Sequence, residues 1–172
     1  MKKLTILAAA LALAAPSFAA DEGATLAKHW QTSKEFTLTV ADAMPAADYN
    51  FKPNDQEMGF GKVMTHIALN NIRAFASVSG VKAPETPEKI AAAFQDPKGV
   101  FDKESTMQFL RDSFDFCIKT LPQITPEKLD AMIGPSSGRE RLWSCFTHTA
   151  HHRGQAEVYL RIKNIKPPDY KF

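Results

Sequence analysis

Apolar residues recur at helical spacing through four long stretches of the chain, and no stretch alternates convincingly enough to be a strand. The first stretch, 21–44, carries Trp30, Phe36, Leu38 and Val40, opens on acidic Asp21 and Glu22, and stops at Pro45. A proline- and asparagine-containing loop follows over 45–58, with Tyr49 and Phe51 as its anchors. The second stretch, 59–79, presents Phe60, Val63, Ile67, Ala74 and Val78 on one face and ends at Gly80, a natural C-terminal glycine. Residues 81–101 read as a crossover. Within it, Thr86-Pro87-Glu88-Lys89 starts a short helix that runs to Gln95, and Asp96-Pro97-Lys98-Gly99 breaks it. The third long stretch, 102–121, turns Met107, Leu110, Phe114, Cys117, Ile118 and Leu121 toward a core and ends before Pro122. A short helix is predicted over 126–132 and a loop over 134–138. Ser137 and Glu140 then form a capping box that opens the last helix, which runs to Lys163 with Asn164 as its stop.

The N-terminus reads differently. Lys2 and Lys3, the apolar run Leu4 to Ala15, and small Ser17 and Ala19 flanking Phe18 make a cleavable signal peptide over 1–19. An uncleaved anchor helix fits less well, because the apolar run is short and a cleavage site follows it. The junction has no cysteine, which disfavours a lipoprotein. A bacterial periplasmic or secreted protein without a stable membrane anchor after cleavage is therefore expected, with one domain over 20–172. The 172 residues suffice for one domain with a real core. A net charge of +2 offers no electrostatic case for nucleic acid as a partner.

The densest chemistry lies in the last helix. Three of the five histidines fall between His148 and His152. At about 100° per residue, His148 and His152 lie one turn apart on one face, able to converge on one cation. Arg141, Cys145, Gln155 and Tyr159 share that face, and His151 points away from it. A helix with a polar stripe and a histidine-rich patch would show the same spacing. On the second helix, Lys62, His66, Asn70 and Arg73 form a polar stripe at the edge of the apolar face, which a solvated surface would also explain. His29, on the first helix, could join a metal site but reads better as a partly buried structural histidine.

The run His148-x-x-x-His152-Arg153-Gly154-Gln155, followed by Tyr159-Leu160-Arg161, resembles the C-terminal signature of the DinB-like (YfiT-like) metalloenzyme family. Tyr49-Asn50-Phe51-Lys52-Pro53 and the segment from Gly59 to Ala68, which contains His66, resemble the family's upstream motifs. The resemblance spans nearly the whole mature chain. It implies an all-α, up-down four-helix bundle holding a divalent metal on His66, His148 and His152. It also implies an activity of hydrolase or thiol-transferase type on a small-molecule substrate, as in the family's thiol-dependent transferases and isomerases.

Three neutral imidazoles leave coordination positions open for water or substrate. Zinc there can bring the pKa of bound water toward neutrality. Zinc is the first choice, and nickel or iron would also accept three histidines. There is no HExxH and no carboxylate clearly on the ligand face of the last helix, so the metalloprotease arrangement is excluded and no general base is assigned. Arg153 and Gln155 are candidates for orienting the site, against the plainer roles of a salt bridge and a helix-end contact. For Cys117 and Cys145 burial ranks first, a disulfide second, and Cys145 as fourth ligand third. The non-catalytic alternative is a metal- or ligand-binding bundle. A homodimer stays open.

Overall fold

The computed structural model describes residues 18–171, with side-chain surroundings from Glu22 onward. The expected leader over 1–19 lies outside the described residues except for Phe18 and Ala19, which open the first helix. The elements in chain order are α1 (Phe18–Ala43), α2 (Phe60–Ser79), α3 (Glu88–Gln95), α4 (Lys103–Thr120), α5 (Pro126–Asp130), a hairpin of β1 (Met132–Ile133) and β2 (Ser136–Ser137), and α6 (Gly138–Ile162).

The four long helices pack as a bundle in which α1 and α2 each lie against both α4 and α6. Cross-helix pairs fix the directions. Lys34 meets Asp115 and Lys103 meets Asp42, so α4 runs against α1. Glu22 meets Arg139, while Ser33 and Thr37 meet Arg153, so α6 runs with α1. On α2, Asn70 meets Cys145 and His66 meets His148, so α2 runs against α6. The order is therefore up, down, down, up, which corrects the simple up-down alternation expected. The 81–101 crossover, which includes α3, returns the chain to the end of the bundle where α2 began, and α4 descends beside α2.

Periodicity located the buried faces well. Trp30 sits at the centre, fully buried, with Phe75, Phe114 and Phe146 around it at ring-centroid distances of 4.8, 5.8 and 5.7 Å. Aromatic pairs at such tilted and edge-on geometries add about 0.5–1.5 kcal/mol each beyond area burial. The buried face of α2 is wider than its five expected residues, because Met64, Ala68, Ile72 and Phe75 are also buried. Ala74, by contrast, is only partly buried. Leu38, Met107 and Ile118 likewise pack at the margin of the core.

The loop before α2 caps it with backbone. The Phe60 and Gly61 amides donate to the Phe51 and Tyr49 carbonyls at 2.9 and 2.7 Å, satisfying donors that a helix start leaves open. Gly61 is required here, since a Cβ at that position would come within 2.6 Å of the Phe101 Cβ. Asn50 joins the same loop to the crossover, exchanging two hydrogen bonds of 2.9 and 2.7 Å with the Phe101 backbone.

Two local expectations need correction. The 132–137 segment is a two-stranded antiparallel hairpin, pairing Met132 with Ser137 and Ile133 with Ser136 around Gly134 at φ +65°. Two-residue strands are too short to show alternation, so the Gly134-Pro135 pair was their one sequence signal. The helix expected over 126–132 stops at Asp130 for the same reason, as Met132 enters the hairpin. The capping box is present as expected: the Ser137 side chain accepts from the Glu140 amide while the Glu140 carboxylate accepts from the Ser137 amide.

Candidate metal centre

Antiparallel packing of α2 on α6 brings His66 opposite His148, and helical spacing stacks His152 one turn beyond. One ring nitrogen from each of His66, His148 and His152 lies within 4.8 Å of the others, and all three residues are half-buried. The Nε2 atoms of His66 and His148 stand 3.0 Å apart. Two imidazoles on one tetrahedral zinc, with Zn–N of about 2.0–2.1 Å, would place their nitrogens roughly 3.3 Å apart. A movement of a few tenths of an ångström reconciles the two.

The electrostatics favour neutral rings at His66 and His148. Burial, then the nearby charges of His152 and Arg73, lowers the His66 pKa below the ordinary histidine value. His148 falls to about 4, from burial first and then from His152 and His66. A neutral imidazole keeps the lone pair that a cation needs. The donor set therefore suits zinc, nickel or another borderline cation better than the hard, oxygen-seeking Mg²⁺ or Ca²⁺.

The surroundings orient the rings. His152 Nδ1 lies 3.0 Å from Gln155 Oε1, an arrangement in which the ring N–H donates and Nε2 is left for the site. Gln155 Nε2 donates in turn to Glu57 Oε2 at 2.7 Å and to the Tyr159 hydroxyl at 3.0 Å. Tyr159 donates to the Met58 carbonyl at 3.0 Å, tying the loop before α2 to α6. Burial and the Glu57 carboxylate push the Tyr159 hydroxyl up to about 12, so it stays protonated. Phe94 of α3 lies parallel to the His66 ring at 6.3 Å.

The model of the DinB superfamily matches residues 29–156, which contain all three histidines. The chain belongs to the DinB superfamily. The crystal structure of a DinB-like protein, YjoA, from Bacillus subtilis is similar in fold, with a TM-score of 0.65 at 22% identity over 86% of this chain and 98% of that one. No curated protein matches the sequence.

The structure of this DinB chain brings His66, His148 and His152 together and leaves the other candidates outside the cluster. His151 is exposed, although its ring touches that of His152 at 4.8 Å between centroids. His29 lies on α1, facing the other side of α6 beside Phe146. Arg153 turns toward α1, where it donates to Ser33 and Thr37, so it does not orient the histidines. Gln155 does. Both cysteines are buried and free, in keeping with the first-ranked reading, and there is no disulfide. Cys145 contacts the Asn70 and Asn71 side chains at 3.5 and 3.3 Å and stands outside the histidine group. Burial pushes its thiol up to about 12. Sequence reasoning missed Glu57 and Phe94, because one lies in a loop and the other in the crossover, and neither falls in a periodic pattern with the ligands.

Proposed function

We propose that this DinB-superfamily chain binds one divalent metal through His66, His148 and His152 and uses it on a small-molecule substrate, by hydrolysis or thiol transfer. The observation that supports this is the convergence of three half-buried imidazole nitrogens within 4.8 Å, contributed by two helices. A bound metal would supply Lewis acidity and an activated water. Burial favours neutral rings at His66 and His148, Gln155 and Glu57 fix the His152 tautomer, and Phe94 screens one side of the site. Zinc is the first choice of cation, with nickel or iron next. The reading includes export: a signal peptide cleaved after Ala19 would deliver the domain to the periplasm or the exterior. An oxidising compartment disfavours chemistry that depends on a reduced low-molecular-weight thiol, so hydrolysis is at least as well supported.

A second reading is a metal- or ligand-binding bundle without turnover. One observation favours it: among the described residues no carboxylate belongs to the histidine group, and Glu57 reaches His152 through Gln155.

The deciding experiment is elemental analysis of the mature chain, purified without an affinity tag, beside its His66→Ala variant. About one equivalent of metal, lost in the variant, supports the site. No metal in either sample after reconstitution would sink the metalloprotein reading. Metal without turnover across a broad substrate panel would favour the binding module.

A further inference from the structure

A polar cleft of about 240 Å³ continues the α2–α6 seam away from the histidines, between Asn70, Arg73 and Ala74 on one wall and Glu140, Arg141 and Cys145 on the other. We infer that this cleft is the specificity pocket of the metal site and takes the carboxylate end of a small ligand whose other end reaches the metal. The inference rests on the metal-binding reading above.

Register places the cleft beside the metal site. His66, Asn70 and Arg73 follow one another along one stripe of α2, and Arg141, Cys145 and His148 do so on α6. Because the helices are antiparallel, both stripes lead from the histidine cluster to the cleft. Helical side chains lean toward their own N-terminus. Arg73, two turns beyond His66 on the same stripe, therefore leans back toward the histidines. Arg141 leans the other way and closes the far wall, donating through Nε and Nη2 to the Ile133 carbonyl at 3.3 and 2.6 Å.

The charge in the cleft is unbalanced. Among the described residues neither Arg73 nor Arg141 takes part in an ion pair. The acidic side chain on the lining, Glu140, is committed to the helix cap, accepting from Ser137 N and Oγ at 2.7 and 2.9 Å. Asn70 spends an amide N–H on the Cys145 sulfur, a weak acceptor it can exchange for an oxygen. One free guanidinium fork and one amide donor match the two coplanar oxygens of a carboxylate. They offer fewer donors than a tetrahedral phosphate dianion asks for. The volume lies below the roughly 300–1,000 Å³ of drug-sized pockets, so the ligand is small.

The test uses the mature chain reconstituted with zinc and two probes differing only at the tail. Both grip the metal by a hydroxamate: succinate monohydroxamate carries a carboxylate, and its succinamide counterpart carries an uncharged amide. Calorimetric titration is expected to show the acid binding about tenfold more tightly. Arg73→Gln should cut that preference to under twofold with metal content unchanged. Arg141→Lys, which keeps a donor for the Ile133 carbonyl, should lower it by a smaller factor. Equal binding of acid and amide to the metal-loaded chain, or a preference surviving Arg73→Gln, would overturn this inference and leave the metal site standing. A chain that takes up no metal would overturn both.

Discussion

His152 and Arg153 are neighbours in the chain, yet α6 buries their nitrogens in opposite ways. His152 faces α2, where three imidazoles gather with no carboxylate among them in the described residues, and burial lowers the pKa of His66 and His148. Arg153 faces α1 and is 7% exposed. It donates to the hydroxyls of Ser33 and Thr37 at 3.2 and 3.3 Å and stacks its guanidinium on Phe36 at 4.4 Å. One face of the helix therefore has its polar groups met by protein. The other turns the Nε2 atoms of His66 and His148 toward each other at 3.0 Å, and leaves the second ring nitrogen of His148, Nδ1, buried and unbonded. Satisfied groups build the fold, and unsatisfied convergent groups invite a ligand. The first arrangement predicts a structural residue and the second a binding site.

That contrast can be broken by substitution on each face. His148→Ala should lower zinc affinity by roughly a hundredfold or more, about 3 kcal/mol, while the metal-free protein keeps its helical circular dichroism. If competition with a chelating dye shows affinity unchanged, the convergence has no role in binding. Arg153→Ala should do the reverse. Loss of its packing and hydrogen bonds is expected to cost about 2–3 kcal/mol in urea unfolding, or roughly 5–10 °C in melting temperature, with metal stoichiometry retained. Metal loss in that variant at a temperature where it remains folded would show that the two faces are not separable.

Gln155→Ala tests the support of the site rather than the site itself. Affinity should fall about 10–100-fold, since ring orientation is loosened but no ligand is removed. Glu57→Gln should have a smaller effect in the same direction.

Acidity offers a further test. His148 has its folded pKa lowered to about 4, and His66 is lowered too. The unfolded chain, with histidines near 6.5, therefore takes up protons first on acidification. Stability of the metal-free protein should fall as pH drops from about 6.5 toward 4, and the fall should be shallower in His148→Ala. Denaturant midpoints across that range would show it, and parallel curves for the two proteins would remove the assigned cause. The smallest effect belongs to His151→Ala, expected to change metal affinity by less than twofold because the side chain is exposed and off the cluster.

Much of this was legible in the residues. Helix boundaries were marked by Pro45, Gly80 and the Ser137–Glu140 box, all of which act locally. The face shared by His148 and His152 follows from the fixed rotation per residue along one helix. His66 was different: periodicity set it at the edge of a stripe that solvent would also have explained, and the family resemblance alone marked it as a ligand. Its place depends on how α2 docks against α6, a distance no single helix encodes.

The sequence by itself determined where the helices lie, which residues each turns inward, and the pairing of two histidines one turn apart, because these depend on local conformation and on burial of apolar stripes. Only the tertiary structure decided the up-down-down-up order, the meeting of His66 with His148, the reach of Glu57 through Gln155 to His152, and the turning of Arg153 toward α1. Each of these joins residues far apart in the chain, and packing complementarity between whole helix faces selects them.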